Sequence, residues 1–302
     1  MSQRDVKERI ASISNIEKIT RAMEMVAAAR LRKAEERVAT LRPYADAIVD
    51  MTRQAAEAAS SAERKAFPLL QGRDEINTVG ILIVTADRGL AGAFNSQIIR
   101  AAQKLAAEHE LAGRKVVFYA TGRRGVSAMT FRGRTPEASF TGFTEKPTYA
   151  DAREVAETLA AAYLDGKVDK VEVLFNHFVS ALTQAVTQLT LLPLQQDPIE
   201  EALATGDADE VKGKAGASAL VEYEPDPRDI LERLIPDYIE ITIFRSLLDS
   251  AASEFGARMT AMRNASENAG DLVTSLTLEM NRARQAEITQ EIMEVVAGAE
   301  AI

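Results

Sequence analysis

The sequence predicts an α/β chain in which long helices from its two ends pair as an antiparallel coiled coil, with a small open-sheet, Rossmann-like α/β domain between them. Three observations carry that expectation: a stretch without Gly or Pro over residues 1–42, alternating strand and helix patterns in the middle, and a proline-free stretch from Asp237 to Ala297. The expected divisions are an N-terminal coil helix over 1–58, the α/β domain over 76–195, an acidic mobile loop over 196–228 and a C-terminal coil helix over 229–302.

Residues 1–42 are rich in Ala, Arg, Lys, Glu and Met, all strong helix formers. Their apolar positions Val6, Ile10, Ile13, Ile16, Ile19, Met23, Val26, Leu31, Ala34, Val38 and Leu41 advance by about 3.5 residues per step, the period of a left-handed coiled coil. Pro43 is expected to kink or end this helix, with helical composition resuming over Tyr44–Ala59.

The middle of the chain alternates strands and helices. Thr78–Thr85 reads as a buried strand, Ala86–Asn95 as a turn into a helix ending near Gly113, and Lys115–Thr121 as a second strand followed by a short helix after Gly122. Phe140–Pro147 reads as irregular and Asp151–Leu164 as a helix; Val168–Val179 and Ala181–Leu192 are β-rich runs close enough to pair. Residues 195–229 hold ten acidic groups against three basic, with Gly, Ala and Pro, and read as a loop.

In the C-terminal stretch, Ile239, Ile243, Leu247, Ala251, Phe255, Met259, Met262, Ala265, Ala269, Leu272, Leu276, Met280 and Ala283 recur at a mean step of about 3.67 residues, which keeps one narrow stripe on one helix face. At 1.5 Å per residue that helix is roughly 90 Å long, whereas a compact globule of the whole chain is only about 50 Å across. The helix therefore leaves its own domain, and each terminal arm is the available cover for the other. Their charges agree: residues 1–42 hold ten Lys/Arg against six Asp/Glu, and 228–302 hold seven against thirteen. The last residues, Ile288–Ile302, are apolar on more than one face and no stretch of the first arm is evidently long enough to cover them, so they are expected either to be received by a partner or simply to fray as a terminus.

Composition removes several function classes. Zero cysteines exclude disulfides, thiol catalysis and thiolate metal sites. The aliphatic run Val79–Val84 is far short of the roughly 20 residues that cross a bilayer. MSQRDVKERI has no apolar signal core, so the chain is expected to work where it is made or to be a mature form. A net charge of −9 and a basic first helix without aromatic residues argue against nucleic acid.

The strand-to-helix turns invite a nucleotide reading. However, Asp87-Arg88-Gly89-Leu90-Ala91-Gly92 is neither a dinucleotide fingerprint nor a P-loop, and Thr121-Gly122-Arg123-Arg124-Gly125 matches only in part. His109 is expected on a helix surface and His177 packed or partly exposed in a strand, and neither has metal-ligand spacing. Neither a nucleophile elbow nor a His-Glu-x-x-His pair is present, so no cofactor and no active site are expected on this chain.

Two blocks carry a resemblance. Arg9-Ile10-Ala11-Ser12 with Asn15 to Ala28 (NIEKITRAMEMVAA), and Asn281 to Ala299 (NRARQAEITQEIMEVVAGA), are similar to the two ends of the gamma subunits of F-type ATP synthases. Thr85-Ala86-Asp87-Arg88-Gly89-Leu90 with Gly92, and Tyr223-Glu224-Pro225-Asp226, resemble that family's internal landmarks, so the similarity spans essentially the whole chain in order. The resemblance implies a central shaft whose coiled coil enters a ring of α and β subunits and whose α/β domain is the foot on a membrane ring of c subunits. The chemistry of ADP and phosphate would belong to α and β. An epsilon subunit is a further implied partner, and an inhibitor subunit stays open.

By the same resemblance, Met23, Arg258 and Glu294 match positions where gamma meets the lever region of β. Arg284, Gln285 and Thr289 match contacts with the β loop that grips the coil higher up, while Tyr223 and Glu224 match the foot facing the membrane ring. Met23 also lies on the apolar stripe, so coil packing is the alternative for it. The acidic stretch 197–221 looks longer than usual for the family, and the cysteine insert of chloroplast gammas is absent. The implied location is peripheral, on the cytoplasmic face of a bacterial inner membrane or the matrix side of the mitochondrial one. The rival readings are a static coiled-coil scaffold with a docking head, and a small-molecule enzyme using the α/β domain.

Overall fold

A computed structural model describes residues 3–60, 66–194 and 227–300. Helix α1 runs over Gln3–Ala58 and α5 over Pro227–Glu300. Between them lie β1 (Thr78–Val84), α2 (Phe94–Leu111), β2 (Lys115–Thr121), α3 (Arg123–Phe131), β3 (Ala138–Phe140), α4 (Tyr149–Leu164), β4 (Lys170–Phe178) and β5 (Gln184–Leu192). Pro43 and Pro236 both sit inside helices, so α1 does not end at Pro43 and α5 begins earlier than its proline-free stretch suggests.

The strands form one sheet in the order β3-β2-β1-β4-β5, parallel except for β5, which is antiparallel to β4. β3 overlaps the stretch read as irregular only at Phe140, and no element was expected at its other two residues; three residues, one of them a serine, give no period to detect. β1 is central and covered on both faces, which is why it is a continuous apolar run rather than an alternating one. Val79, Ile81 and Ile83 pack with Ile98 and Ala102 of α2 and Met129 of α3. Leu82 and Val84 face the other core, with Val155 and Leu159 of α4, Ala55 and Ile48 of α1, and Leu231, Ile239 and Ile243 of α5. Both long helices are thus rooted in the domain. Gly80 keeps β1 close to its neighbours: a Cβ there would meet Tyr119 and Val168 at 3.3 Å.

Beyond the domain α1 and α5 pair with each other. Arg245–Asp46 (3.1 Å), Arg263–Glu24 (2.8 Å) and Ser266 Oγ to the Glu17 carbonyl (3.5 Å) match ascending positions of α5 with descending positions of α1, an antiparallel arrangement. The seam of α1 differs from the predicted stripe. Val6, Thr20, Ala27, Ala34, Ile48 and Ala55 are buried, with Ile13 and Leu41 half-buried between them, at a strict spacing of seven. Ile16, Ile19 and Val26, which the sequence assigns to the seam, are 52%, 59% and 53% exposed. Small residues let the helix axes approach, and the bulkier aliphatics three and four positions apart form a second stripe on the outside. On α5 the predicted stripe is buried or half-buried except Leu272, 53% exposed.

The same register brings Gln3 level with about residue 284 of α5, so the last turns of α5 extend for roughly 25 Å without a coil partner among the described residues. Ile288, Ile292, Met293, Val295 and Val296 are exposed there.

Candidate functional site

Where the coil leaves the domain, four segments converge: α1 near Arg30, α5 near Arg258, the loop after β1, and the loop between β3 and α4. They are organised by two carboxylates. Asp87 Oδ2 accepts from the backbone N–H of Gly142 (2.9 Å) and Thr144 (3.3 Å) and from Thr144 Oγ1 (3.0 Å). Asp87 Oδ1 accepts from the Arg123 N–H at the first turn of α3 (3.1 Å). Burial opposes ionisation of Asp87, but these hydrogen bonds outweigh it and hold the carboxyl below its ordinary value. In a nucleotide-binding α/β fold a phosphate sits at such a helix N-terminus; here the chain's own carboxylate fills the place. The glycines nearby serve close packing. At Gly122, with φ 81°, a Cβ would lie 2.2 Å from the Thr85 carbonyl oxygen.

The second carboxylate, Glu145, pairs with Arg30 of α1, with Arg258 of α5 (3.3 Å) and with Arg88 (3.3 Å). Arg258 is itself buried, donates to Glu254 at 2.5 Å and reaches the Gly89 carbonyl at 3.4 Å. Arg30 and Arg258 both lie about 6 Å from the centroid of the Phe255 ring, within cation–π range. Burial pushes the Glu254 carboxyl up to about 7, with the Glu145 and Asp87 charges adding to the rise and Arg258 opposing it.

Beside this neck runs a groove of about 500 Å³, walled by Ile19, Met23 and Val26 of α1, by Leu90 and Arg124 of the domain, and by Phe255 and Arg258. The outward stripe of α1 therefore faces a cleft with arginines on its far side. Leu90 adopts φ 62°, uncommon for a residue with a side chain, and is 64% exposed.

The structure brings two of the predicted contact residues together: half-buried Met23 and buried Arg258 share the groove, and Met23 lies off the seam. Arg258 spends its guanidinium on internal partners. Arg284, Gln285 and Thr289 lie exposed on α5, about 40 Å along the helix from Arg258 at 1.5 Å per residue. Thr289 Oγ1 donates to the Gln285 carbonyl at 2.8 Å. Glu294 is on the same helix. Tyr223 and Glu224, with nearly all of the acidic loop, lie outside the described residues.

His109 is not on the surface: it is 7% exposed, with Nε2 2.8 Å from Glu172 of β4, because α2 turns that face onto the sheet. His177 is half-buried and pairs with Asp249 at 2.8 Å. Sequence reasoning did not find Glu254, Glu145 or Arg30. Glu254 left a faint signal, an acid four residues before Arg258 inside the small-residue run Ala251-Ala252-Ser253. No helix among the described residues is long and apolar enough to cross a membrane.

A family model described as ATP synthase matches residues 2–302. The ATP synthase gamma chain of Streptomyces coelicolor is 43% identical over 300 residues, covering 98% of this chain and 94% of that one. That of Rubrobacter xylanophilus is 40% identical over 301 residues, covering 100% and 98%. Among solved structures, a chain of the Euglena gracilis mitochondrial ATP synthase rotor aligns with a TM-score of 0.66 at 19% identity, covering 95% of this chain and 98% of that one. A chain of the Tetrahymena thermophila mitochondrial ATP synthase central stalk and c-ring aligns with a TM-score of 0.60 at 24% identity, covering 82% and 99%. These two likenesses speak for the fold.

Proposed function

The chain belongs to the gamma-chain family of ATP synthases, and from that premise we propose that it is the central rotor shaft, passing torque between a proton-driven membrane ring of c subunits and a catalytic ring of α and β subunits. The observation that carries the reading is the asymmetry of the molecule. Both long helices are rooted in the α/β domain, and one of them runs on past the coil as a single helix with an exposed apolar face. Such a tip is an association hazard unless a partner receives it.

A shaft with one protruding helix and one outward apolar stripe is not symmetric about its axis. Inside a ring of repeated subunits it makes different contacts with each, and only differential contacts bias conformations. In this reading Met23, Arg258 and Glu294 belong to the part of the shaft that meets the lever region of β, with Met23 as an adaptable apolar surface and buried Arg258 as the wall of the groove behind it. Arg284, Gln285 and Thr289 hydrogen-bond a β loop higher on the coil. Tyr223 and Glu224 face the membrane ring, and an epsilon subunit joins the foot. The acidic stretch 197–221 is assigned no role. Each elementary charge crossing the membrane supplies about 2.3 kcal/mol per 100 mV, so several steps accumulate for one ATP, and a long coil is a place to hold them as twist. The protein is peripheral, on the cytoplasmic face of a bacterial membrane in keeping with its bacterial relatives.

The test is a bead on the α/β domain with the α/β ring fixed and given ATP: the bead turns in one sense. A motionless bead on an ATP-hydrolysing complex sinks the rotor and leaves a static scaffold. In the same complex, reversing Arg284 to Glu together with Gln285→Ala weakens ATP-driven proton pumping while the domain stays folded; undiminished pumping removes those two contacts from the assignment.

A further inference from the structure

The domain holds the two shaft helices differently at the neck. α5 stays in contact upward from the ion cluster through Ala257 against Ala86, Ala91 and Phe94, and the Thr260 hydroxyl lies 3.5 Å from the Ala181 carbonyl. On α1 the polar links to the domain in this region are Arg37, which donates to the Pro147 carbonyl at 2.5 Å, and Arg30, which pairs with Glu145. Above Arg30 the groove separates α1 from Leu90 and Arg124. Among the described residues, Glu145 thus holds α1 at the uppermost polar link before the coil stands clear.

Glu145 is built to hold. Its loop is fixed on one side by Asp87, which receives the Gly142 and Thr144 hydrogen bonds and donates its own N–H to Thr144 Oγ1 at 2.9 Å. On the other side the loop is fixed by Thr148, whose side chain and Asp151 form a capping box at the start of α4. From this two-ended mount the carboxylate accepts from α1 through Oε2 and from α5 through Oε1. One anion of the domain therefore holds a cation on each helix at once. The pairs are partly shielded, with side-chain exposures of 21% for Glu145, 9% for Arg258 and 45% for Arg30.

We propose that Glu145 is a positioning residue, a collar that ties both shaft helices to the α/β domain at the neck and sets the stiffness with which rotation passes between domain and coil. The proposal rests on the rotor reading for its consequence, and on the ion-pair geometry for its existence. Rotating the coil against the domain must shear these pairs, whose bridging geometry resists displacement on two helices together. Because Arg30 is half-open to solvent, added salt screens its arm of the collar more than the buried Arg258 arm.

In the whole complex, with the α/β ring fixed and a bead on the domain, the angular variance during ATP-waiting pauses reports the compliance between them. Glu145→Gln raises that variance about twofold, as a charge-assisted contact gives way to a neutral one. Glu145→Asp returns it toward the parent value. Raising salt from about 0.05 to about 0.5 M softens the parent and leaves Glu145→Gln unmoved. Arg30→Gln, at a more exposed position, gives a smaller rise and serves if Glu145→Gln does not assemble. In the full-length chain alone, Glu145→Gln speeds amide exchange around Arg30; this readout needs no rotation, so collar and rotor can fail separately. Parent-like variance in both substitutions, or equal salt softening in parent and Glu145→Gln, overturns the collar.

Discussion

One helix lives in two environments. From Leu231 to Phe255, α5 is buried on several faces, including positions with polar side chains such as Asp249, Ser253 and Glu254; after Met280 its described side chains are mostly exposed. Helix propensity is ample in both halves, so the difference lies in what surrounds them. The lower stretch is ordered by the sheet and by α1 and α4, and the last turns, beyond the reach of α1, by helix hydrogen bonds alone among the described residues. An anchor and a probe have been made from one continuous element, and only the anchor contributes appreciably to the stability of the isolated chain.

The contrast is sharpest where a side chain is fully enclosed. Leu247→Ala, at a residue 2% exposed, is expected to cost about 2–5 kcal/mol and lower the denaturation midpoint of the isolated chain. A midpoint unchanged from the parent would mean that the anchor is not where the core puts it. Next comes the coil between the two regions: a proline at Leu276 removes a helix hydrogen bond and costs about 3 kcal/mol locally. The α/β domain keeps its near-ultraviolet signature, but a complex carrying Leu276→Pro stalls or fails to assemble, and normal turning would discard the stiff coil.

A smaller effect separates the neck from both. Glu254, pushed by burial up to about 7 from the ordinary carboxylate range, binds its proton more readily folded than unfolded. Its contribution to stability therefore falls as pH rises from about 5 to about 7 and levels off above. Thermal midpoints at pH 8 lie below those at pH 6, and Glu254→Gln narrows the gap; an equal gap in the two proteins removes Glu254 as its cause. Asp87, and Asp169, whose carboxylate, against the cost of its burial, accepts the Thr78 and Asn77 N–H groups and pairs with Arg73, are held below their ordinary values and act in the opposite sense, only at lower pH, below about 4. The smallest change is at the tip: Ile292→Ala, at a residue 56% exposed, shifts the isolated chain by less than about 0.5 kcal/mol. A larger shift would show that the tip is covered by its own chain.

The anchor, the strands β1, β2, β4 and β5, and the pairing of the two ends were legible because each is long, strongly periodic or continuously apolar. The seam of α1 was misread for an instructive reason. Ile16, Ile19 and Val26 have more apolar area than Thr20 and Ala27, and a reading by hydrophobicity prefers them. The coil selects small residues for close approach, and the larger ones are left facing outward, Ile19 and Val26 along the groove. The neck was legible only in part, because Asp87, Glu145 and Arg30 are far apart in sequence and gain meaning only when α1, the turn after β1 and the loop before α4 meet. His109 was misplaced because its partner, Glu172, is charged, and two polar residues give no apolar pattern to mark a buried contact.

Asp87 carries one more implication. An incoming phosphate would have to evict a carboxylate that four hydrogen bonds already satisfy. The domain keeps the outline of a nucleotide-binding fold, yet at the start of α3 its own carboxylate stands where such folds place an anion. The same group ties the loop before α4 to the turn after β1, so a spot that elsewhere receives a ligand serves here as a joint between two loops.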